Sequence, residues 1–109
     1  MTVTKSELVN LLSDATGLTK VDVEVIVNGL LYHIMEALRN GDRVEIRSFG
    51  SFYAKERLPR KVKNPQTGRE IDVEHRFVPV FKPAKFFRES VNQRLLEKYN
   101  IGEQPDENL

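Results

Sequence analysis

The side chains best suited to chemistry in this chain are closely spaced cations on both sides of a turn. Between Arg57 and Glu70 the sequence reads R-L-P-R-K-V-K-N-P-Q-T-G-R-E, and the stretch Asn64–Gly68 (N-P-Q-T-G) has the composition of a tight turn. So many like charges on a short arm add no stability to a small domain, whereas a polyanion would neutralise them. The segment therefore predicts nucleic acid as the partner.

The net charge of the whole chain conceals this basic segment. It is only +1 over 109 residues, yet residues 55–88 contain ten cations and four anions, a net charge of +6. The flanking segments are acidic, with −2 over residues 1–54 and −3 over residues 89–109. Charge segregated in this way creates a binding surface even when the sum is close to zero.

Composition limits the class of protein. A chain of 109 residues predicts one domain, and the absence of Cys excludes disulfides and thiolate metal sites. The first apolar stretch is too broken for a signal peptide, and no run approaches the roughly 20 apolar residues of a membrane span. We therefore expect a soluble, cytoplasmic protein with no membrane partner.

Catalysis has little support in the sequence. His33 lies within an apolar helix and His75 beside the basic segment, and neither has a plausible nucleophile nearby. The alternating acids Glu70, Asp72 and Glu74 are typical of a solvated strand face more than of a metal site. The sequence predicts no enzyme, no small-molecule substrate, no cofactor and no metal.

Two helices must precede the basic segment. Thr4-Lys5-Ser6-Glu7 has the form of a capping box, and Gly17 is expected to end the first helix. Thr19–Asp22 predicts the start of a second helix, which should run to about Asn40 with Gly41 as its stop.

The second helix is too apolar for a surface helix. Twelve of its eighteen residues between Val21 and Leu38 are apolar or Tyr, whereas a one-sided stripe needs about three in seven. The excess predicts that a second protomer buries the other side of this helix. The alternative is that the rest of the same chain wraps around the helix and buries it. The predicted dimer interface contains Ile26, Leu30, Ile34, Phe49, Phe52 and Phe81.

The second half alternates with a strand period. Val44 and Ile46 predict a strand, Ser48–Ser51 a turn, and the strands on either side of Asn64–Gly68 a long hairpin that projects from the body. Pro79 predicts an edge strand or a bulge. A third helix is expected to start at Pro83-Ala84-Lys85, and all six Phe to form one core of the sheet and this helix.

The chain resembles the bacterial HU/integration host factor family of DNA-bending proteins over about Thr4–Asn92. The motifs that carry the resemblance are Thr4-Lys5-Ser6-Glu7-Leu8, Gly41-Asp42-Arg43-Val44, Phe49-Gly50-Ser51-Phe52, Arg57 with Arg60, Asn64-Pro65-Gln66-Thr67-Gly68, and Val78-Pro79-Val80-Phe81-Lys82-Pro83. Glu45-Ile46-Arg47 is more similar to the integration host factor β side than to HU.

The resemblance implies an α+β fold and an intertwined dimer. Each chain would have a helical hairpin, an antiparallel sheet with a long protruding β-ribbon arm, and a C-terminal helix. It also implies a single domain over residues 1–100 with the arm at about 56–75, followed by an acidic tail at 101–109. The implied partner is double-stranded DNA, bound in the minor groove by a homodimer or by a heterodimer with a related subunit.

The resemblance also implies the site residues. Pro65 would wedge between base pairs and kink the duplex. The implied arm contacts are Lys55, Arg57, Arg60, Lys61, Lys63, Asn64, Arg69 and Arg76. The implied body contacts are Lys5, Arg47, Lys82 and Lys85, with Glu45 and Arg47 assisting sequence recognition. The expected role is nucleoid compaction and assistance to recombination, replication or transcription.

Some positions depart from the family pattern. Val62 and Ala84 stand where Gly is usual, and Lys63 replaces the commoner Arg and loses its bidentate geometry. The added segment Gln93–Leu109 is either an inert end or, through Glu103, Asp106 and Glu107, a competitor of DNA for the basic surface. The alternative function is that of a basic-hairpin RNA-binding protein of the ribosomal type.

Overall fold

The predicted α+β class is confirmed in a computed structural model that describes residues 1–102. Within this range the chain forms three helices and five strands. In order these elements are α1 Lys5–Thr16, α2 Lys20–Arg39, β1 Val44–Ile46, β2 Gly50–Arg57, β3 Arg60–Lys63, β4 Glu70–Val73, β5 Arg76–Pro83 and α3 Lys85–Lys98.

The first two helices begin where local capping chemistry places them. The Thr4 hydroxyl accepts a hydrogen bond from the Glu7 amide at 3.3 Å, and the Thr19 hydroxyl accepts one from the Asp22 amide at 3.2 Å. Each bond satisfies an amide that has no partner within the helix. Gly17 closes α1 in the left-handed region with φ +78°, as predicted.

Three antiparallel strands form the main sheet in the order β1-β2-β5. Gly50 lies opposite Pro83, and a Cβ at Gly50 would approach the Lys82 carbonyl oxygen to 2.5 Å, so only glycine fits. Two predictions are corrected here. Gly50 and Ser51 belong to β2 instead of the turn, and Pro83 ends β5 instead of starting the third helix, because both strands continue to pair at these positions.

The arm is a second, two-stranded sheet of β3 and β4. It continues from β2 and β5 after short interruptions at Leu58-Pro59 and Glu74-His75, so the predicted long hairpin consists of two successive ladders. Pro59 cannot donate to a ladder, which accounts for one interruption. Pro79 lies in β5, an edge strand of the main sheet, as predicted.

Aromatic packing joins the sheet to the start of α3, but it involves four of the six Phe. Phe52 and Phe81 have ring centroids 4.7 Å apart, and Phe49 stacks on Phe87 at 5.2 Å. Phe77 and Phe86 lie outside this cluster with exposed fractions of 65% and 70%. The prediction of one core containing all six is therefore wrong for a single chain.

The chain by itself lacks a closed core. Among the residues described, only Val9 and Val23 are buried hydrophobics. The accessible surface is 9607 Å², against about 6,200 Å² for a compact monomer of this mass. The radius of gyration is 20.7 Å, against about 13 Å for a compact domain of about 100 residues. A single chain therefore leaves much apolar surface exposed to solvent. No helix in residues 1–102 is long and apolar enough to cross a membrane.

Candidate nucleic-acid interface

The tip of the arm is a turn held by its own hydrogen bonds. The Asn64 side-chain oxygen accepts from the Gln66 amide at 2.8 Å, and the Asn64 carbonyl accepts from the Gly68 amide at 2.8 Å. The Asn64 amide donates to the Arg69 carbonyl at 2.8 Å. Gly68 has φ +71°, which favours glycine. Pro65 is exposed at the apex of this ordered turn.

Asn64 therefore has a structural task in addition to its predicted contact role. Its side-chain oxygen mimics a backbone acceptor across the turn, which is what Asn commonly does in tight turns. Arg69 lies immediately before β4, on the far side of the turn, where the Thr67 hydroxyl accepts from its amide at 3.3 Å. The turn therefore positions an exposed proline and an arginine together.

The shaft of the arm carries three of the predicted arm cations. Arg60, Lys61 and Lys63 all lie in β3 and are exposed. Their cross-strand partners in β4 are Val73, Asp72 and Glu70, in the same order. Arg60 thus faces an apolar residue, whereas each lysine faces a carboxylate.

A cluster of like charge lies at the base of the arm. Arg57 and Arg76 are directly opposite each other on β2 and β5, and both line an open depression together with Arg60 and one acidic residue, Glu56. Lys55 lies two residues before Arg57 on the same face, opposite Val78. Like charges directly across a strand pair repel, so an anion placed between them would stabilise this site.

The body has a second basic surface, which we call the body groove. Arg47 follows β1, Lys82 lies in β5 and Lys85 is the first residue of α3. All three line one open groove between the β1–β2 turn and the start of α3. The structure thus brings together three of the four predicted body contacts.

The body groove is also lined by two arginines that the sequence prediction missed. Arg43 precedes β1, where its Nε lies 3.6 Å from a Glu45 carboxylate oxygen, and Arg88 is one helical turn beyond Lys85. Side-chain periodicity could have identified these two arginines. Arg88 lies three residues after Lys85 on the same helix face, and Arg43 is separated from Arg47 by an even number of residues, as on one strand face.

The start of α3 also presents backbone donors to the body groove. Unlike α1 and α2, α3 has no side-chain cap at its N-cap residue, Ala84, and no acidic residue in its first turn. Unpaired amides at a helix N-terminus, with the positive end of the helix dipole, are a favourable site for phosphate. Lys82, Lys85 and Arg88 add mobile positive charge around them.

Lys5 is not part of the body groove within one chain. It begins α1, and its Nζ donates to the side-chain oxygen of Asn28 on α2 at 2.8 Å. The structure therefore places this predicted contact on the helical side of the molecule.

The predicted dimer-interface residues are apolar side chains that the single chain leaves at least partly exposed to solvent. Ile26 and Leu30 on α2 are 61% and 56% exposed, and Ile34 is half-buried. Phe49, Phe52 and Phe81 belong to the aromatic cluster but remain partly exposed. An apolar hollow of about 590 Å³ also opens between the end of α2 and the sheet, lined in part by Met35, Leu38, Ala54, Phe77 and Pro79.

Comparison with known proteins identifies the family. The family described as "Bacterial DNA-binding protein" matches residues 3–92. The chain belongs to this bacterial DNA-binding protein family. The match covers the two helices, the sheet, the arm and the first part of α3, and confirms the resemblance on which the site residues were expected.

Relatives within the bacterial DNA-binding protein family include both branches anticipated from the sequence. Integration host factor subunit beta of Teredinibacter turnerae is 44% identical over 95 residues, covering 86% of this chain and 97% of that protein. DNA-binding protein HU of Geobacillus stearothermophilus is 42% identical over 87 residues, covering 80% of this chain and 97% of that protein. The chain is integration host factor β-like, as Glu45-Ile46-Arg47 predicted.

The family's solved structures share this fold. The HU chain of an Anabaena HU–DNA cocrystal structure is 35% identical and superimposes with a TM-score of 0.74, covering 81% of this chain and 96% of that one. HU from Thermotoga maritima is 32% identical with a TM-score of 0.58.

Proposed function

We propose that this protein is an architectural DNA-binding protein that acts as a dimer, grips the minor groove with its arms and kinks the duplex with Pro65. The observation that carries the proposal is the tip geometry. An exposed proline stands on a turn whose backbone is fixed by three internal hydrogen bonds, at the end of a cationic two-stranded ribbon.

The dimensions and chemistry of the arm suit the minor groove. That groove is only about 6 Å wide, so a thin ribbon is a better fit than a helix. Arg57, Arg60, Arg69 and Arg76 can neutralise phosphates along its walls, which supplies affinity without sequence information. Pro65 is compact and has no polar side-chain group to desolvate, so it can enter a base step that costs a few kcal/mol to open.

The body groove extends the contact to flanking DNA. Bending brings the duplex back toward the body, where Lys82, Lys85 and Arg88 surround the uncapped start of α3. Those phosphate contacts offset the energy of kinking, because each neutralised phosphate releases condensed counterions. Glu45 and Arg47 line the same groove and are the candidates for modest sequence preference.

The dimer is supported by the surface of the single chain. Its accessible surface exceeds that of a compact monomer by roughly 3,400 Å², whereas obligate dimers commonly bury about 2,000–5,000 Å² over both chains, or about 1,000–2,500 Å² per chain. The extended arm contributes to this excess, and so do the exposed apolar side chains of α2, next to which the apolar hollow opens. The partner is a second copy or a related subunit, as the name of the integration host factor relative suggests.

A non-enzymatic role in the nucleoid follows from these contacts. A single duplex bent by the two arms of the dimer would be compacted, and distant sites along it would be brought together, which assists recombination, replication or transcription. The RNA-binding alternative is less favoured, because the wedge requires a duplex whose minor groove admits a ribbon, and the wide, shallow minor groove of A-form RNA does not confine one.

The test is to purify the chain alone and measure its oligomeric state and its binding to DNA and RNA duplexes. We expect a dimer in analytical ultracentrifugation, preference for nicked DNA over an RNA duplex, and an affinity that falls steeply with salt. A folded monomer would overturn the dimer. Equal competition by RNA would support the alternative, and a binding constant indifferent to salt would exclude both nucleic-acid functions.

A further inference from the structure

Helix α3 is poorly covered by its own chain. It has no buried residue over its whole length, Lys85–Lys98. Near its start, Phe87 joins the aromatic cluster of the sheet, with its ring centroid 5.2 Å from that of Phe49 and 6.4 Å from that of Phe81. The helix is therefore attached to the sheet near its first turn and is largely exposed beyond it.

An apolar stripe continues along α3 from this attachment. Val91, Leu95 and Tyr99 follow Phe87 at intervals of four residues, which places them along one side of the helix. We call these three residues the α3 stripe, and they are 43%, 43% and 59% exposed. Leu95 and Tyr99 lie beyond Asn92, the last residue that the family match covers. The stripe thus extends the apolar surface into a part of the chain outside the family pattern.

The end of α3 has a defined cap. The Ile101 amide donates to the Leu96 carbonyl at 2.9 Å, and Asn100 has φ +54°, which is the pattern of a Schellman motif. Gly102 then lies close to the Leu96 side chain, since a Cβ at Gly102 would be 3.7 Å from it. Leu96 is rotated about 100° around the helix from Leu95. The chain therefore folds back over Leu96 and leaves the α3 stripe exposed.

We infer that the α3 stripe packs on the second protomer and enlarges the dimer interface beyond the part of the chain that the family pattern covers. The inference rests on the proposed dimer and adds a surface to it. Phe49 and Phe81, the rings that Phe87 contacts, belong to the predicted dimer interface. A protomer that covers these rings therefore lies beside the first residues of the stripe.

A second copy also offers apolar surface of the same kind. Leu11 on α1 and Val21 and Val25 on α2 are all more than half exposed in the single chain. Packing apolar side chains of α3 against such a surface removes both from water, which is favourable and requires no desolvation of charge.

The remaining C-terminal residues are a poor cover for the stripe. The seven residues that follow Gly102 contain three acids and a single large apolar side chain, Leu109. Their composition provides little apolar surface to bury three side chains.

DNA is also a poor cover for the stripe. Lys85 and Arg88, which line the body groove, lie at the start of α3, whereas Leu95 is ten residues beyond Lys85, or about 15 Å along the helix axis. Affinity for the duplex comes mainly from cations on phosphates, and the stripe itself supplies no charge.

The first experiment identifies the occupant by photo-crosslinking the full chain. Because the chain has no Cys, Tyr99→Cys provides one attachment point for a benzophenone maleimide. We expect ultraviolet light to produce a species of twice the chain mass, at the same yield with and without duplex DNA. The control Glu97→Cys carries the probe two residues earlier, on the opposite side of the helix, and should give little of this species.

The second experiment measures exchange of subunits between dimers that carry donor or acceptor dyes at the N-terminus. In Leu95→Ala/Tyr99→Ala the stripe loses most of its apolar surface, and we expect exchange at least about tenfold faster than in the wild type. Gln93→Ala/Glu97→Ala changes the opposite side of α3 and should exchange at the wild-type rate. Leu95→Met/Tyr99→Phe keeps the apolar volume and should do so as well.

Separate outcomes test the inference and the proposed dimer. A stable dimer with wild-type exchange in the stripe variant, or a probe at residue 99 that labels DNA or only its own chain, would overturn the inference alone. Equal crosslinking from residues 97 and 99 would overturn it too, because the contact would then not depend on the stripe. A wild-type chain that is a folded monomer would overturn the dimer itself.

Discussion

The His75 Nε2 and a Glu56 carboxylate oxygen lie 2.8 Å apart at the base of the arm. Glu56 is two residues out of register with His75, since its direct partner is Phe77, so the contact is diagonal across the strands. His75 also lies against Phe77, with ring centroids 5.5 Å apart. The contact therefore links the last residue pairs of the main sheet to the start of the arm.

Loss of this contact should loosen the arm locally without destabilising the body. The pair is about half exposed, so we expect Glu56→Gln to cost less than about 1 kcal/mol. Hydrogen exchange should accelerate at the amides of Arg57 and Arg76, while the melting temperature stays close to that of the wild type. The control Glu24→Gln should leave exchange at both amides unchanged. If Glu56→Gln also leaves it unchanged, the contact does not stabilise the base of the arm.

Pro65→Ala tests the wedge. The internal hydrogen bonds of the turn do not involve a Pro65 donor, so the tip should keep its shape and binding should fall little. Bending should largely disappear, because Ala cannot fill an opened base step. Energy transfer between dyes at the ends of a duplex measures the bend, and Gln66→Ala is the control beside it. Full bending by Pro65→Ala would exclude intercalation by this residue.

Two matched leucine substitutions test the dimer interface. Leu30 and Leu58 are 56% and 68% exposed in the single chain, so burial within one chain predicts similar small effects. If α2 packs on a second protomer, Leu30→Ala should lower the unfolding free energy by about 2–5 kcal/mol. Leu58→Ala, at the base of the arm, should stay within about 0.5 kcal/mol. Urea denaturation at several protein concentrations distinguishes the two outcomes.

Arg88 and Arg94 provide a matched test of the body groove. Both lie on α3, but Arg88 lines the groove and Arg94 lies beyond it, near Leu95. Arg88→Ala should reduce the salt slope of DNA binding by about one and weaken binding uniformly across sequences. Arg94→Ala should leave the slope unchanged. Equal effects of the two substitutions would mean that the groove does not contact the phosphate backbone.

The C-terminal acids can be tested separately from the helix that precedes them. Glu103, Asp106 and Glu107 lie outside the described residues, whereas α3 continues to Lys98 and the Ile101 amide donates to the Leu96 carbonyl at 2.9 Å. Truncation after Gly102 therefore removes the acids and keeps the helix end. If the acids compete with DNA, this truncation should tighten binding at low salt. Equal affinity would show that the segment is inert.

Much of the local structure was predictable from the sequence. Thr4 and Thr19 cap their helices, Gly17 ends α1, and Asn64–Gly68 forms the turn at the tip, because hydrogen bonds between near neighbours in the chain decide each of these features. The excess of apolar residues on α2 likewise indicated a surface that one chain cannot cover.

Other features required the tertiary structure. Arg57 lies opposite Arg76, and Lys61 lies opposite Asp72, because the register of strand pairing sets which residues are neighbours. A shift of one residue in that register would move all side chains of the shifted strand to the other face of the sheet. Arg43 and Arg88 meet in the body groove for a similar reason, as elements distant in sequence pack together. The sequence by itself determined the elements and the abundance of cations. The tertiary structure decided which of those cations face one another, which face carboxylates, and which remain free for a polyanion.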